Sequence, residues 1–413
     1  MRKIRFLHAS DVHIGKDRFG NGFGVRDFDA ALTALIDYAV NHEVSFVAIS
    51  GDLFDKPQPE PEHLLWTEKP LMRLREASIP LIAIDGNHDR YAYSNRGSWV
   101  QYLGNRGLLR YLTMRGTEEE VLNPWTEVKG WGAFTDVDDV RIYGVGYWGA
   151  GTGPRIKRFA PKIKPQAFTV LLLHAGIMGI SAEFGGVTKE DLDPLRVLVD
   201  YIALGHQHRT FDFDNWIYNP GSLTHAYLDE WRYRERGFYE VTADLNERTH
   251  HAEFIPVPSR EGHLEKIDVS GMATVEEAGR RVLEAYANLS PDQDSVVRLT
   301  VEGHAQFNPM EFDVNQVKKR CLEVLPVGHL EIVADLVSPG GGEDVNYYES
   351  ISRERLEREE AAALLREIGI GKDVIEELSR LTLNLQKGVS QGEDQEDLFS
   401  QVRAFVLKRH AHS

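Results

Sequence analysis

Asp11 and His13, then Asp52, then Asn87, His88 and Asp89, then His174, then His206 and His208 are residue types that ligate metals or move protons, and they share one setting. Each group follows a short apolar run: IRFLHAS before Asp11, VSFVAIS before Gly51-Asp52, PLIAID before Gly86-Asn87, FTVLLL before His174, and YIAL before Gly205-His206. Open α/β sheets place their sites beyond the carboxyl ends of strands. A single Asn or Asp after a strand is ordinarily a turn residue, and a single buried His is ordinarily a hydrogen-bonded core residue. Five coincident strand ends predict one shared site instead. Residues two apart in a strand face the same way, so Asp11 with His13, and His206 with His208, are each expected to reach one ion together. Glycines at 51, 86 and 205 let the chain turn beside an ion with no Cβ in the way. Carboxylate and amide oxygens mixed with imidazole nitrogens, and no thiolate, suit Mn²⁺, Fe²⁺ or Zn²⁺ better than Ca²⁺ or a structural zinc. Seven candidate ligands are too many for one tetrahedral ion and suit two ions sharing a bridging carboxylate.

The elements that must position these residues alternate. After the first strand comes a helical pattern, DFDAALTALIDYAVNH, then SFVAIS as a strand, PEHLLWTEKPLMRLREA as a helix and PLIAID as a strand. That alternation is the mark of α/β layering. From residue 140 the pattern becomes strand-rich, with RIYGVGYW, FTVLLLH, YIALGH, NWIYNPGS and RGFYEVTAD. EFIPVPSREG (253–262) reads as a domain exit. Beyond it HLEKIDVSG, TVEEAGRRVLEAYANL, SVVRLTVEG, NPMEFDVNQVKKRCLEVL and HLEIVADLV predict a small strand–helix–strand–helix–strand unit. SPGGGED (338–344) has linker composition, and the remainder reads as charged helices with Gly369 and Gly388 at C-cap positions. Three parts follow: 1–258, 259–337 and 338–413.

Composition narrows the function. One cysteine, Cys321, excludes an intrachain disulfide and points to a reducing, cytoplasmic setting. The basic N-terminus is not followed by an apolar signal region, and no run approaches a membrane span, so no membrane role is expected. The formal net charge of −17 argues against nonspecific coating of nucleic acid, unless local basic clusters or bound divalent cations offset it.

The blocks Asp11-Val-His13, Gly51-Asp-Leu-Phe-Asp55, Gly86-Asn-His-Asp89, His174 and Gly205-His-Gln-His208 stand in the order of the five-block pattern of the calcineurin-like metallophosphoesterases, which this chain resembles. SDVHIG (10–15), GDLFDKPQP (51–59), IPLIAIDGNHDR (79–90) and NPGSLTHAYLDEWRYRERGFYEV (219–241) resemble the double-strand-break repair nucleases of the Mre-eleven/SbcD type within it. The serine/threonine phosphatase branch typically reads GDxHG and GNHE, whereas here Ile14 follows His13 and Asp89 closes the third block. The resemblance implies a four-layer αββα sandwich over 1–258, a DNA-capping α/β domain over 259–337, and a helical segment over 338–413. The implied activity is a two-metal DNA nuclease, a 3′–5′ exonuclease and single-strand or hairpin endonuclease working on DNA ends. A small-molecule phosphodiesterase or phosphatase of the same superfamily is the alternative, and a catalytically silent scaffold a third reading, against which the complete ligand set speaks.

By the same resemblance one ion would be held by Asp11, His13 and His208 and the other by Asn87, His174 and His206, with Asp52 bridging; Mn²⁺ is the first choice of metal. His88 would act on the scissile phosphate or leaving oxygen rather than bind metal. Some relatives carry His at the position of Asp55, which leaves the balance of exonuclease and endonuclease activity open. Asp55 and Asp89 are candidates to hold the outer nitrogens of ligating imidazoles. Arg232, Arg234 and Arg236, and Lys318, Lys319 and Arg320, are candidate DNA contacts. The helix around 63–77 carries Leu64, Leu65, Trp66, Leu71, Met72 and Leu74, more apolar surface than one core face needs, and the resemblance implies a homodimer there. The C-terminal helices have apolar positions at helical spacing (Leu356, Ala361, Leu364, Leu365; Leu378, Leu381, Leu383) that suit a grip on a partner's coiled coil. The implied partner is an SMC-like ATPase of the Rad-fifty/SbcC type.

Overall fold

The computed structural model describes residues 2–90, 97–114, 122–179, 186–233, 235–338, 378 and 381. The chain divides into two compact units, one comprising 1–266, 282–300 and 314–333 and the other 267–281, 301–313 and 334–413.

Two sheets dominate the first unit. The first has seven strands, in the spatial order Thr249–Pro256, Gly237–Asp244, Lys3–Ala9, Phe46–Ile49, Leu81–Ala83, Arg110–Leu112 and Trp131–Gly132. The second has six, in the order Phe211–Phe213, Ile217–Asn219, Tyr201–Gly205, Phe168–His174, Val140–Val145 and Phe134–Val137. Their central strands run parallel, Lys3–Ala9 beside Phe46–Ile49 beside Leu81–Ala83 in one and Phe168–His174 beside Tyr201–Gly205 in the other. These strands are buried on both faces, which is why FVAI, LIA and FTVLLLH read as unbroken apolar runs rather than alternating ones.

Three apolar layers separate four layers of structure. Phe6, Phe46, Ala48, Ile82, Ile142, Phe168, Val170, Leu172, Tyr201 and Ala203 fill the space between the sheets. Leu7, Val47, Ile49, Leu81 and Ala83 face the helices Arg26–Asn41 and Pro61–Glu76, and Leu171, Leu173, Ile202 and Leu204 face residues of Thr152–Phe159 and Lys189–Leu192 on the far side. This is the four-layer αββα sandwich expected from the sequence. The helix Arg26–Asn41 docks because Phe28, Ala31, Leu32, Leu35, Ile36 and Ala39 recur at three- and four-residue spacing on one face. In Pro61–Glu76, Thr67, Pro70, Leu71 and Leu74 are buried, while Leu64 and Trp66 lie half-buried against the same core. Leu65 and Met72, seven residues apart, remain 50% and 40% exposed, so this helix does carry apolar surface its own core leaves uncovered.

The strand–helix–strand–helix–strand pattern after residue 260 is present as Gly262–Asp268, Val275–Leu289, Val296–His304, Val314–Val324 and His329–Val337, with Val296–His304 central in a three-stranded sheet. The second helix begins at Val314 rather than Asn308, because Pro309–Glu311 forms a separate 3₁₀ turn capped by the Asn308 side chain. In the second unit Val269, Val301, Ala305, Phe307 and Phe312 are buried. The linker 338–344 is described only at Ser338, and the predicted C-terminal helices fall outside the described residues except for Leu378 and Leu381, both helical.

Phe46 is fully buried between the sheets, its ring stacked on Phe6 at 4.6 Å. Phe46→Ala is expected to cost about 3–5 kcal/mol, the range for emptying an aromatic site in a packed core. Urea unfolding followed by tryptophan fluorescence should show a clear fall in the midpoint; an unchanged midpoint would contradict this packing.

Candidate metal centre

The strand ends converge as expected, but through a local geometry that strand alternation does not predict. The strand Lys3–Ala9 ends before Asp11, and Asp11, His13 and Asp52 all lie in the left-handed region, with φ of 50°, 51° and 52°. His206 is also at positive φ, 96°. Non-glycine residues adopt this region at a cost of roughly 1–3 kcal/mol each, and only where their surroundings over-determine it. Here the surroundings are backbone hydrogen bonds: Asp11 N to Gly51 O (3.1 Å), and Val12 N and His13 N to Asp52 O (2.8 and 3.0 Å). Asp11 and His13 therefore share a site because the loop is tied to its neighbour, not because they are two apart in a strand. His206 and His208 do not share one. The Nδ1 of His206 lies 2.9 Å from Asn87 Oδ1, whereas the Nε2 of His208 lies 3.1 Å from that of His13.

The glycines do what their positions suggested, each for a definable reason. A Cβ on Gly86 would fall 1.9 Å from Asp52 Oδ1, and one on Gly205 would fall 2.1 Å from Ser50 O. Gly51 combines φ of 94° with a ring of His174 that a Cβ would meet at 2.3 Å.

Around buried Asp52 the donors form three overlapping groups. Asp11, His13 and His208 bring ligand atoms together, as do Asp11, Asp52 and His174, and His13, Asp52 and His88. Asn87 Oδ1 stands 3.1 Å from His174 Nε2, and His174 Nε2 stands 3.3 Å from Asp52 Oδ2. His88 also lies within reach of His13 and Asp52. Its main-chain N–H donates to Asp52 Oδ1 (2.8 Å), and its Nδ1 donates to the Asp55 carbonyl (2.8 Å). Asp52, Asn87, His88, His206, His208, Tyr227 and Glu230 line an open cavity of about 390 Å³.

The outer nitrogens show that these donors fit cations. His174 Nδ1 faces the Ser50 carbonyl at 2.7 Å, and His208 Nδ1 faces Glu230 Oε1 at 2.5 Å. Both partners are acceptors, so the proton sits on Nδ1 and each neutral ring presents an Nε2 lone pair to the centre. His13 Nδ1 is 3.4 Å from Asp55 Oδ1, which gives its ring the same sense. Lone pairs of His13 and His208 then face one another at 3.1 Å beside the carboxylate of Asp11, and the lone pair of His174 faces two further acceptor oxygens. Only a cation or extra protons relieve such a cluster. Burial opposes charging His174, but Asp52, Asp11 and the Ser50 carbonyl outweigh it and lift its pKa to about 9. Burial would likewise raise Asp52, yet His174, His13 and His88 hold it well below the usual carboxylate range. Burial, then His174, pushes His206 down to about 4. A divalent ion supplies the positive charge that these shifts otherwise draw from protons.

The supporting residues divide their work. Asp55 stands beside two of the imidazoles: its carboxylate lies between His13 and Lys16 Nζ (2.9 Å), while its carbonyl holds His88. Burial works against its ionisation, and the contacts to His13 and Lys16 overcome it to give a pKa of about 2. Asp89 touches no imidazole. Its carboxylate accepts from the backbone of Leu53, Phe54 and Gly86 at 3.2, 2.9 and 2.9 Å, clamping the loop after one strand to the loop after the next. Burial, Asp52 and Asp85 raise it to about 8, against the pull of those N–H donors.

Glu230, which lies in the 219–241 stretch but in none of the five ligand blocks, is the partner of His208, and it also accepts from Ala226 N (2.8 Å) and Ser222 Oγ (3.1 Å). Tyr227 stacks on the His208 ring at 5.4 Å, and Tyr147 lies 5.4 Å from the ring of His206. Their sequence signal is faint, since Glu230 sits in a five-residue 3₁₀ turn with no periodicity and follows no strand. The suggested DNA contact Arg236 is corrected by its burial. It is 1% exposed, donates to the carbonyls of His208 and Glu230, and pairs with the Glu230 carboxylate at 3.3 Å, so it supports the centre from behind. Arg232 is exposed and lies 3.7 Å from Asp229, and Arg234 is outside the described residues. Lys319 and Arg320 are exposed on the helix Val314–Val324, with Lys318 half-buried.

Two stacked sheets carrying a carboxylate–imidazole centre at their strand ends define a metal-dependent phosphoesterase. The chain belongs to the calcineurin-like phosphoesterases, whose profile matches residues 4–210. It is similar to DNA double-strand break repair protein Mre11 of Sulfurisphaera tokodaii, 30% identical over 52% of this chain and 52% of that one. It is similar to the protein of the same name from Archaeoglobus fulgidus, 29% identical over 68% of this chain and 65% of that one, and to that from Sulfolobus acidocaldarius, 29% identical over 50% of each. The chain thus spans about half to two thirds of the length of these curated relatives. Among solved structures it has a distant likeness to a dimetal phosphatase from Danio rerio, with a TM-score of 0.37 and 11% identity over 61% of this chain and 98% of that one.

Removing Glu230 should free the His208 ring without touching the donors around Asn87. Glu230→Ala is expected to weaken divalent-metal binding at the Asp11, His13 and His208 donors roughly 10–100-fold, the usual effect of losing an outer carboxylate, and to leave binding at the donors around Asn87 near its original affinity. Titration calorimetry with Mn²⁺ checks this; parental affinity in the variant would refute the supporting role of Glu230.

Proposed function

We propose that this chain is a two-metal-dependent DNA nuclease that processes double-strand-break ends together with an SMC-like ATPase. The observation that carries the phosphodiesterase part is the convergence of imidazole lone pairs, Asn87 and carboxylates on the two sides of Asp52. The step to DNA is supported by the similarity to Mre11 proteins. In this reading Asp11, His13 and His208 hold one ion, Asn87, His174 and His206 the other, and Asp52 both; Mn²⁺ suits this oxygen and nitrogen set. When bound, the ions would activate a water and neutralise charge on the phosphoryl oxygens. The protein's own part is to hold those donors in fixed directions through Ser50, Glu230 and Asp55. His88, whose Nδ1 proton is committed to the Asp55 carbonyl, exchanges a proton through Nε2 with the leaving oxygen.

Residues 259–337 are proposed as a DNA-capping domain and 338–413 as the ATPase-binding segment. The helix Pro61–Glu76 is proposed as a homodimer face through Leu65 and Met72. A cytoplasmic setting suits the single cysteine, and among the described residues no helix is long and apolar enough to cross a membrane.

His88 lies within ligand reach of His13 and Asp52, so its role needs a direct test. His88→Ala should retain both Mn²⁺ equivalents by elemental analysis while losing most turnover, roughly 10²–10⁴-fold for a lost general acid. Loss of a metal equivalent would make His88 a ligand instead. The substrate is tested with Mn²⁺ or Mg²⁺ on labelled duplex and hairpin DNA beside bis-(p-nitrophenyl) phosphate; cleavage of the small ester without cleavage of DNA would favour a small-molecule phosphodiesterase. For assembly, light scattering is expected to give about twice 46.8 kDa for the protein and 46.8 kDa for a Leu65→Glu/Met72→Glu variant. A monomeric parent would end the dimer proposal.

A further inference from the structure

Where the two sheets approach the metal centre, the material between them changes from apolar to polar. The inward positions run Ile4, Phe6, His8 and Ser10 along the first strand and just past it, and Phe46, Ala48 and Ser50 along its neighbour. His8, Ser10 and Ser50 are all fully buried. A buried polar group is costly unless it is hydrogen-bonded, and each of these finds its partner on the opposite sheet or in the loop beyond it. Ser50 Oγ donates to the Ala203 carbonyl (2.8 Å), and Ser10 Oγ donates to that of Gly221 (3.0 Å). The His8 ring reaches one strand at two points, with Nε2 3.0 Å from the Leu204 carbonyl and Nδ1 2.9 Å from the Tyr201 hydroxyl. A carbonyl only accepts, so Nε2 carries the proton and Nδ1 accepts from Tyr201. Burial, opposed by the Leu204 carbonyl, takes the His8 pKa down to about 3, and the ring stays neutral. Gly205, next to Leu204, marks how closely the sheets meet: a Cβ there would fall 2.1 Å from Ser50 O and 3.0 Å from Ser10 Cβ.

The candidate metal donors are divided between these same sheets. Asp11, His13, Asp52 and Asn87 follow strands of the seven-stranded sheet, and His174, His206 and His208 follow or end strands of the six-stranded one. In the two-ion reading each ion draws on both, Asp11 and His13 with His208 for one, and Asn87 with His174 and His206 for the other. A slide of one sheet over the other would strain both ligand sets at once. Apolar contact resists a slide weakly, because the hydrophobic effect is non-directional. Hydrogen bonds fix distance and direction, and two of these bonds hold the residues that immediately precede Gly205-His206.

We infer, resting on the two-metal reading above, that His8, Ser10 and Ser50 are positioning residues, a polar stitch that fixes the register of the two sheets and with it the distance between the donors each sheet contributes.

The test is electron paramagnetic resonance of the Mn²⁺-loaded full-length protein, since the magnetic coupling of two ions depends steeply on their separation, with Mn²⁺ affinity measured by calorimetry. The variants are His8→Phe, His8→Gln and Ser50→Ala. Val170→Ala is the control, emptying volume in the same core near the start of the strand that ends at His174. His8→Phe keeps a ring but neither hydrogen bond. It is expected to bind Mn²⁺ roughly 10-fold more weakly, the low end for losing support behind a metal centre, with part of the coupled signal replaced by that of isolated ions. His8→Gln, whose amide can still donate to the Leu204 carbonyl, should recover most of both. Ser50→Ala should shift in the same direction as His8→Phe, and it decides the matter if His8→Phe does not fold. Val170→Ala should lower the thermal midpoint while keeping the parental coupling. Parental affinity and coupling in His8→Phe and Ser50→Ala would overturn the stitch, as would an equal loss in His8→Gln or in Val170→Ala. In those cases the parent still shows a coupled pair and only this inference falls; a parent without one would bring down the two-metal reading and this inference together.

Discussion

Asp52 is a carboxylate with almost no access to water, and everything near it is arranged to keep it charged. Its Oδ1 takes the His88 N–H, its Oδ2 faces His174 and His13, and its backbone carbonyl takes two N–H groups from the Asp11–His13 loop. A buried carboxylate is costly unless it is paired and hydrogen-bonded. The pairing here is unusual because the partners are themselves acceptors once their outer nitrogens hold the protons. Ser50, Glu230 and Asp55 commit those protons outward, which turns the inner nitrogens into ligands. The centre is therefore built to need positive charge, and Asp52 and Asp11 lift the His174 imidazole against its burial for the same reason.

Holding such a cluster requires loops that cannot relax. Four left-handed non-glycine residues, Asp11, His13, Asp52 and His206, lie within it. The first three are tied together by backbone hydrogen bonds between their two loops, and the His206 N–H is held by the Asp11 carboxylate. Asp89 closes the arrangement by binding amides from both the Asp52 and the Asn87 loops. Gly86 belongs to the same logic. Its backbone lies against Asp52 so closely that even a methyl group is excluded, which brings Asn87 and His88 up to the bridging position. The parallel central strands supply the rigid base, since their ends emerge side by side from a core packed on both faces.

The same physics decides what is legible in the chain. The sandwich is legible because buried parallel strands are continuous apolar runs and the helices between them keep strict periodicity. The candidate donors are legible because each follows such a run within a few residues. The short strands Arg110–Leu112 and Trp131–Gly132, the last two of the seven-stranded sheet, are not, being only three and two residues long. Glu230 and Tyr227 are not, because a 3₁₀ turn lends them no pattern. Arg236 shows the opposite failure: the run WRYRER looks like a solvated basic strip, yet Arg236 is turned inward to bind two carbonyls and a carboxylate. Charge in a sequence says nothing of direction when the segment lacks a periodic element.

That distinction bears on how an acidic protein could work on a polyanion in the nuclease reading proposed above. Net charge sets the long-range field, but in salt that field is screened beyond about 8–10 Å. What a phosphate meets at close range is local: a centre that draws in divalent cations. In the proposed nuclease reading the surplus acidic residues act only locally, where they disfavour contact of duplex DNA with the rest of the surface.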